Sequence, residues 1–184
     1  MDNEPPRIDY NICPVTGLTE RERNIIIHSW RAIRGTTWSD NVHSGVAFVL
    51  WMFDNVPGML LRFSNKFHNL PISRMAGDEK FLAHSAEVMN TIDSLIQHIH
   101  DPDTLDQSIR TMAELHVNLK PSVGTPYFRN FHQNFHLFIE KMLKCEQNSE
   151  EVRVWTTFIG SMCTAILKVE SEQQQKKRKC CVTM

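Results

Sequence analysis

Two stretches decide how the chain folds: Phe81-Leu82-Ala83-His84-Ser85-Ala86-Glu87-Val88 and Met112-Ala113-Glu114-Leu115-His116-Val117-Asn118-Leu119. Between them lies His100-Asp101-Pro102-Asp103-Thr104, where Pro102 lacks a backbone donor and disfavours helix at Asp101. The result is two helices. On the first, Phe81, His84, Val88, Ile92, Leu95 and Ile99 recur at three- and four-residue steps. Leu105, Ile109, Met112, His116 and Leu119 do so on the second. Each helix therefore carries one histidine on its apolar stripe. Two imidazoles facing each other across a dry slot would suit a planar iron cofactor, because a neutral imidazole nitrogen is a good iron ligand. A histidine on an apolar face is also commonly a core residue bonded to backbone, and periodicity alone leaves both readings open.

Outward from this pair, everything periodic is helical. A capping box, Thr19 with Glu22, starts a helix that presents Ile26, Ile27, Trp30 and Ile33 and stops at Gly35. A second helix runs from Ser39 through Val42, Val46, Val49, Leu50 and Phe53, and Gly45 in it would let another backbone approach closely. Pro57 can open a short helix, and Asn69-Leu70-Pro71 breaks the connector after it. Beyond His116 a turn-rich loop with Pro121, Gly124 and Pro126 leads into a helix with Phe128, Phe131, Phe135 and Phe138 on one side. The last helix, from Asn148-Ser149, carries Val152, Trp155, Phe158, Ile159, Met162, Cys163 and Ile166. Six or seven helices and no sheet make an all-α domain. His132 and His136 have an i, i+4 metal-pair spacing, but no carboxylate or cysteine completes a site.

With 184 residues the chain holds one domain plus tails: residues 1–17 as a flexible arm, 18–168 as the domain and 169–184 as a polar, basic tail. A net charge of −1 gives no basis for nucleic-acid binding. No stretch approaches the roughly 20 apolar residues that cross a bilayer. The opening residues have no apolar signal segment, and Asp2 stands where N-myristoylation needs glycine, so export and that anchor are not expected. Five cysteines without metal-ligand spacing suit reduced thiols in the cytoplasm.

The chain resembles a globin from about Leu18 to Lys168. The features that carry the resemblance are ordered: Trp30 in the first helix, Pro57 at a short turn, Phe63 six residues later, His84 a further 21 on, His116 another 32 on, and Trp155 in the last helix. The resemblance implies a globin fold of six to eight helices sandwiching haem b. It implies His116 as the proximal iron ligand and His84 as the distal histidine, with Phe63 stacking on the porphyrin. It further implies Val88 and Val49 shaping the distal pocket, Met112 and Phe128 touching haem from the proximal side, and Lys80, Lys66 or Lys120 meeting the propionates. The histidine separation and the surroundings of His84 (Phe81-Leu82, Val88-Met89, Ile92-Asp93) look like those of neuroglobin-type globins, which are commonly six-coordinate. That implies His84 as a possible sixth ligand, with dioxygen or another diatomic gas as competitor. An oxygen carrier or store, and a haem-free globin-like sensor, are the alternatives. No added acid–base residue beside His84 argues for an enzyme.

The chain closes on Lys176-Lys177-Arg178-Lys179-Cys180-Cys181-Val182-Thr183-Met184. Cys181 heads a C-a-a-X prenylation pattern, methionine at the end favours farnesyl, and Cys180 is a palmitoylation candidate. One lipid chain anchors weakly and a basic run supplies the second signal. The expectation is a globin on the cytoplasmic face of a membrane, exchanging electrons with a redox partner or sensing redox state there.

Overall fold

A computed structural model of the protein describes residues 11–63 and 70–182, with side chains to Arg178. The described residues form eight α-helices and no strand: α1 (Glu20–Arg34), α2 (Trp38–Asn55), α3 (Met59–Arg62), α4 (Ile72–Met75), α5 (Glu79–Gln97), α6 (Pro102–Asn118), α7 (Thr125–Leu143) and α8 (Glu150–Val182). α3 and α4 are single turns, too short to leave a periodic trace in the sequence.

Short-range capping chemistry sets several of the helix ends, in part as read from the chain. Thr19 and Glu22 form the reciprocal capping box of α1, and Gly35 ends it at φ 76°. Thr37 and Asp40 do the same for α2. Asp78 caps α5 by accepting from the Phe81 amide, and Asp101 caps α6 with Pro102 behind it. Gly58, at φ 74°, turns the chain into α3, so Pro57 precedes that helix rather than opening it.

α7 packs along α8, α6 lies on α8, and α2 crosses α5. The last crossing is tight: a Cβ on Gly45 would stand 2.5 Å from the Ser85 carbonyl oxygen. Phe48 lies against Phe138 with ring centroids 4.9 Å apart, and Phe131 and Phe135 continue the aromatic core. Trp30 and Trp155 meet at 6.1 Å, and each indole N–H is satisfied, Trp30 by Asp93 and Trp155 by Ser29, both at 2.8 Å.

Three expectations need correction. Residues 11–17 are not a loose arm: Cys13 is buried, its amide donates to Leu18 O at 2.9 Å, and the buried Arg23 guanidinium donates to Asn11 O and Leu18 O. The tail does not begin at residue 169, because α8 continues unbroken and Val169 is buried; Glu170, Glu172 and Gln173 all bond to other helices. α8 also contains a stretch long and apolar enough to cross a membrane. In this fold that stretch is a core helix, with Trp155, Phe158, Ile159, Met162 and Ile166 buried against α1, α6 and α7.

Candidate haem site

The site lies between α5 and α6, closed by α7 and α8 behind. α5 presents two apolar faces there. Phe81, Met89 and Ile96 enter the core, whereas His84, Val88 and Ile92 line a cavity of about 350 Å³. From α6, Met112 and His116 line the same cavity. Two histidines that sequence spacing put on separate helices thus share one apolar space.

His116 is held in one tautomer. Its Nδ1–H donates to the Met112 carbonyl at 2.8 Å, one turn back on its own helix, which leaves the lone pair on Nε2. The Phe128 ring meets it edge-on at 5.3 Å. Burial lowers the His116 pKa, and the Met112 bond only partly opposes this. The imidazole is therefore neutral at physiological pH, as a metal ligand must be.

His84 is also pushed down, first by desolvation. Glu87, at 3.8 Å from Nδ1, raises its pKa, and His116 lowers it. The two rings are therefore near enough for a charge on one to disfavour a charge on the other. Phe63 meets the His84 ring edge-on at 5.0 Å and is itself braced by Phe53 at 4.7 Å. Phe63, Val88, Met112 and Phe128 all line the cavity with the two histidines.

Val49 does not. It is fully buried between helices, and Phe48 and Met52 face the cavity from α2 instead. One position along a helix turns a side chain by about 100°, so a register one residue out points the wrong way. Lys80 is exposed in the first turn of α5 and does not line the cavity. Lys66 lies outside the described residues. The cations at the rim are Lys120 and Arg62, and no described lining residue is acidic. Arg62 donates from Nε to the Tyr127 hydroxyl and lies 5.0 Å over that ring. Neither Arg62 nor Tyr127 was evident from the sequence, because they are 65 residues apart and in no motif.

These observations fit a haem. The walls are apolar and aromatic, a tautomer-fixed imidazole and a second imidazole line the same cavity, and two cations, Arg62 and Lys120, line it with them. Elsewhere the candidate metal pair dissolves. His132 Nε2 bonds to Thr156 O and His136 Nδ1 to Gln133 O, and no group of three metal-ligating side chains occurs among the described residues. The side chains of Cys180 and Cys181 lie outside the described residues.

Comparison with known proteins gives the same picture. The family model described as Globin matches residues 47–166. A globin of Biomphalaria glabrata is 30% identical over 152 residues, covering 82% of this chain and 98% of that protein. A double mutant of Aplysia limacina myoglobin superimposes with a TM-score of 0.70 at 18% identity, over 83% of this chain and 98% of that one. A Drosophila melanogaster hexa-coordinate hemoglobin does so with a TM-score of 0.69 at 18% identity, over 82% and 94%.

Proposed function

The chain belongs to the globin family, and from that premise we propose that it binds haem b in the cavity between α5 and α6 and takes up a small diatomic gas there. The observation that carries this reading is the fixed tautomer of His116: its Nδ1–H donates to the Met112 carbonyl, which leaves the Nε2 lone pair on a half-buried ring that desolvation keeps neutral. Haem, when bound, would supply an iron centre able to take up a gas and to change oxidation state. Everything else falls to the chain. His116 would supply the nitrogen that holds the iron, Phe63 and Phe128 would exclude water, and Arg62 and Lys120 would meet the haem carboxylates; all five line the cavity.

His84 decides the behaviour. Its ring lines the same cavity as His116, is braced by Phe63 and is disfavoured as a cation, which supports a neutral imidazole that would itself hold the iron when no gas is present. Such occupancy lowers apparent gas affinity, since the open state is only fractionally populated. When displaced, the same N–H can donate a hydrogen bond to the gas, worth about 1.5–3 kcal/mol if the acceptor is treated as charged. This combination suits redox sensing or electron exchange better than bulk oxygen storage. The gas-free ferrous spectrum tests it: sharp visible bands for the native protein, converted to a broad five-coordinate spectrum by His84→Leu. A broad spectrum in both would remove internal ligation and leave an oxygen-binding globin.

The reading extends to the end of the chain. Residues 174–178 are exposed on α8, and the basic run 176–179 precedes Cys180 and the Cys181-Val182-Thr183-Met184 pattern, which supports a lipidated, cytoplasmic-face membrane anchor. Mass spectrometry of cell-derived protein should find the last three residues removed and a prenyl group on Cys181. An intact Met184 in most molecules would reject the anchor.

A further inference from the structure

The chain from His116 to the start of α7 is held at both ends by one segment of α8. The carbonyl of His116 accepts from the Leu119 amide at 3.4 Å and the Val123 amide at 3.0 Å, so the loop folds back on the histidine's own backbone. That loop ends at Gly124, the N-cap of α7, which has no side chain with which to cap it. The cap comes from another helix. Glu170 Oε1 accepts from the Thr125 amide at 3.2 Å, and Oε2 accepts from the Thr125 hydroxyl. A carboxylate is the favoured partner for the positive end of a helix.

The same α8 segment grips the other side of the loop. Glu172 pairs with Arg110, its shortest contact 2.6 Å, and the Gln173 amide donates to Asn118 Oδ1 at 3.0 Å. Arg110 and Asn118 stand on α6, before and after His116. One α8 turn therefore ties down the helix that carries the histidine, and the helix that begins where its loop ends. Gly124 is part of the fit: a Cβ there would fall 1.7 Å from Glu170 Oε1.

We propose that Glu170, assisted by Glu172 and Gln173, is a positioning residue for the proximal histidine, so that a segment of tail-like sequence is an integral part of the haem site. The proposal rests on haem binding at His116. Glu170 does not line the cavity and acts by fixing the 119–125 loop, whose Val123 amide bonds to the His116 carbonyl.

The test uses the full chain. Haem transfer from loaded protein to an excess of apo-acceptor is timed, and amide hydrogen exchange over residues 119–125 is followed in the haem-free protein. Glu170→Ala should speed haem transfer roughly tenfold, the loss of a charge-assisted cap, and should speed exchange in that loop while leaving α1 unchanged. Glu170→Gln, which keeps an acceptor for the Thr125 amide, should stay within about threefold of native. Gly124→Ala should reproduce the Glu170→Ala result in the native background and add nothing to it in the Glu170→Ala background, where the carboxylate it strikes is gone. Glu150→Ala removes the Arg21 pair near the start of α8 and should change transfer by less than about twofold.

Native-like haem transfer and native-like loop exchange in Glu170→Ala would overturn the proposal. So would equal acceleration by Glu150→Ala, which would reduce the effect to general loosening of α8. Failure of the native protein to take up haem would reject the cofactor instead, and loop exchange in the haem-free protein would still judge the clamp.

Discussion

Gly45→Ala should destabilise this protein, against what helix propensity says. In an exposed helix interior the change stabilises by about 1 kcal/mol, since alanine is the better helix former. Here the new carbon falls 2.5 Å from the Ser85 carbonyl oxygen and 2.9 Å from Met89 Cγ. Ordinary contacts of this kind lie near 3.5 Å, so α2 and α5 must part by about 1 Å. The obstacle is mainly backbone at the fully buried Ser85 and cannot swing aside as a side chain could. Overpacking of this sort costs about 1–3 kcal/mol, and a backbone clash belongs at the upper end. Set against the propensity gain, a net loss near 2 kcal/mol remains, or roughly 4–8 °C in Tm for a chain of this size. Urea denaturation of the haem-free protein measures it directly. Because Ser85 follows His84, the gas-free ferrous spectrum should also lose intensity in its sharp visible bands. Stabilisation by about 1 kcal/mol with an unchanged spectrum would refute the crossing geometry.

Three further predictions concern the core and the rim. Ser29→Ala should cost about 1–3 kcal/mol in urea denaturation, because the Trp155 indole N–H, buried in the core, loses its 2.8 Å acceptor. The haem-free protein should be acid-sensitive through its histidines. Burial depresses the pKa of both His84 and His116 below the ordinary value of about 6.5, so the unfolded chain takes up protons that the folded one refuses. Their contribution is then fully present above that value and is lost as the pH falls from it through the depressed folded values. Urea midpoints across that window should show the fall, and His116→Gln should flatten it. At the rim, Arg62→Ala and Lys120→Ala should each speed haem loss measurably while Lys80→Ala should not; the reverse order would return the propionate role to α5.

The sequence was most readable where chemistry is local. Thr19 with Glu22, Gly35, and Asp101 with Pro102 fix helix ends within a few residues, and each is found at its helix boundary. The His84 and His116 stripes were clear because polar residues flank them. α2 is less clear: from Val46 to Phe53 every residue is apolar, so nothing in the chain sets the helix phase, and an ungapped count along the globin resemblance lands on Val49 whereas Phe48 and Met52 face the cavity. The contacts of Glu170 with Thr125 and of Arg62 with Tyr127 span 45 and 65 residues and leave no local signature. Polar composition past Lys168 suggests a tail, yet Glu170, Glu172 and Gln173 bond to neighbouring helices.

The measurement that bears most directly on the account is titration of haem into full-length protein and into His116→Ala, followed by the Soret and visible bands. The native chain should bind one haem with a sharp end point and an imidazole-ligated spectrum. The variant should bind weakly, lose the proximal nitrogen signature, and recover ligation when free imidazole is added. Equal uptake and an identical spectrum in His116→Ala would contradict the assignment of that histidine and the function built on it.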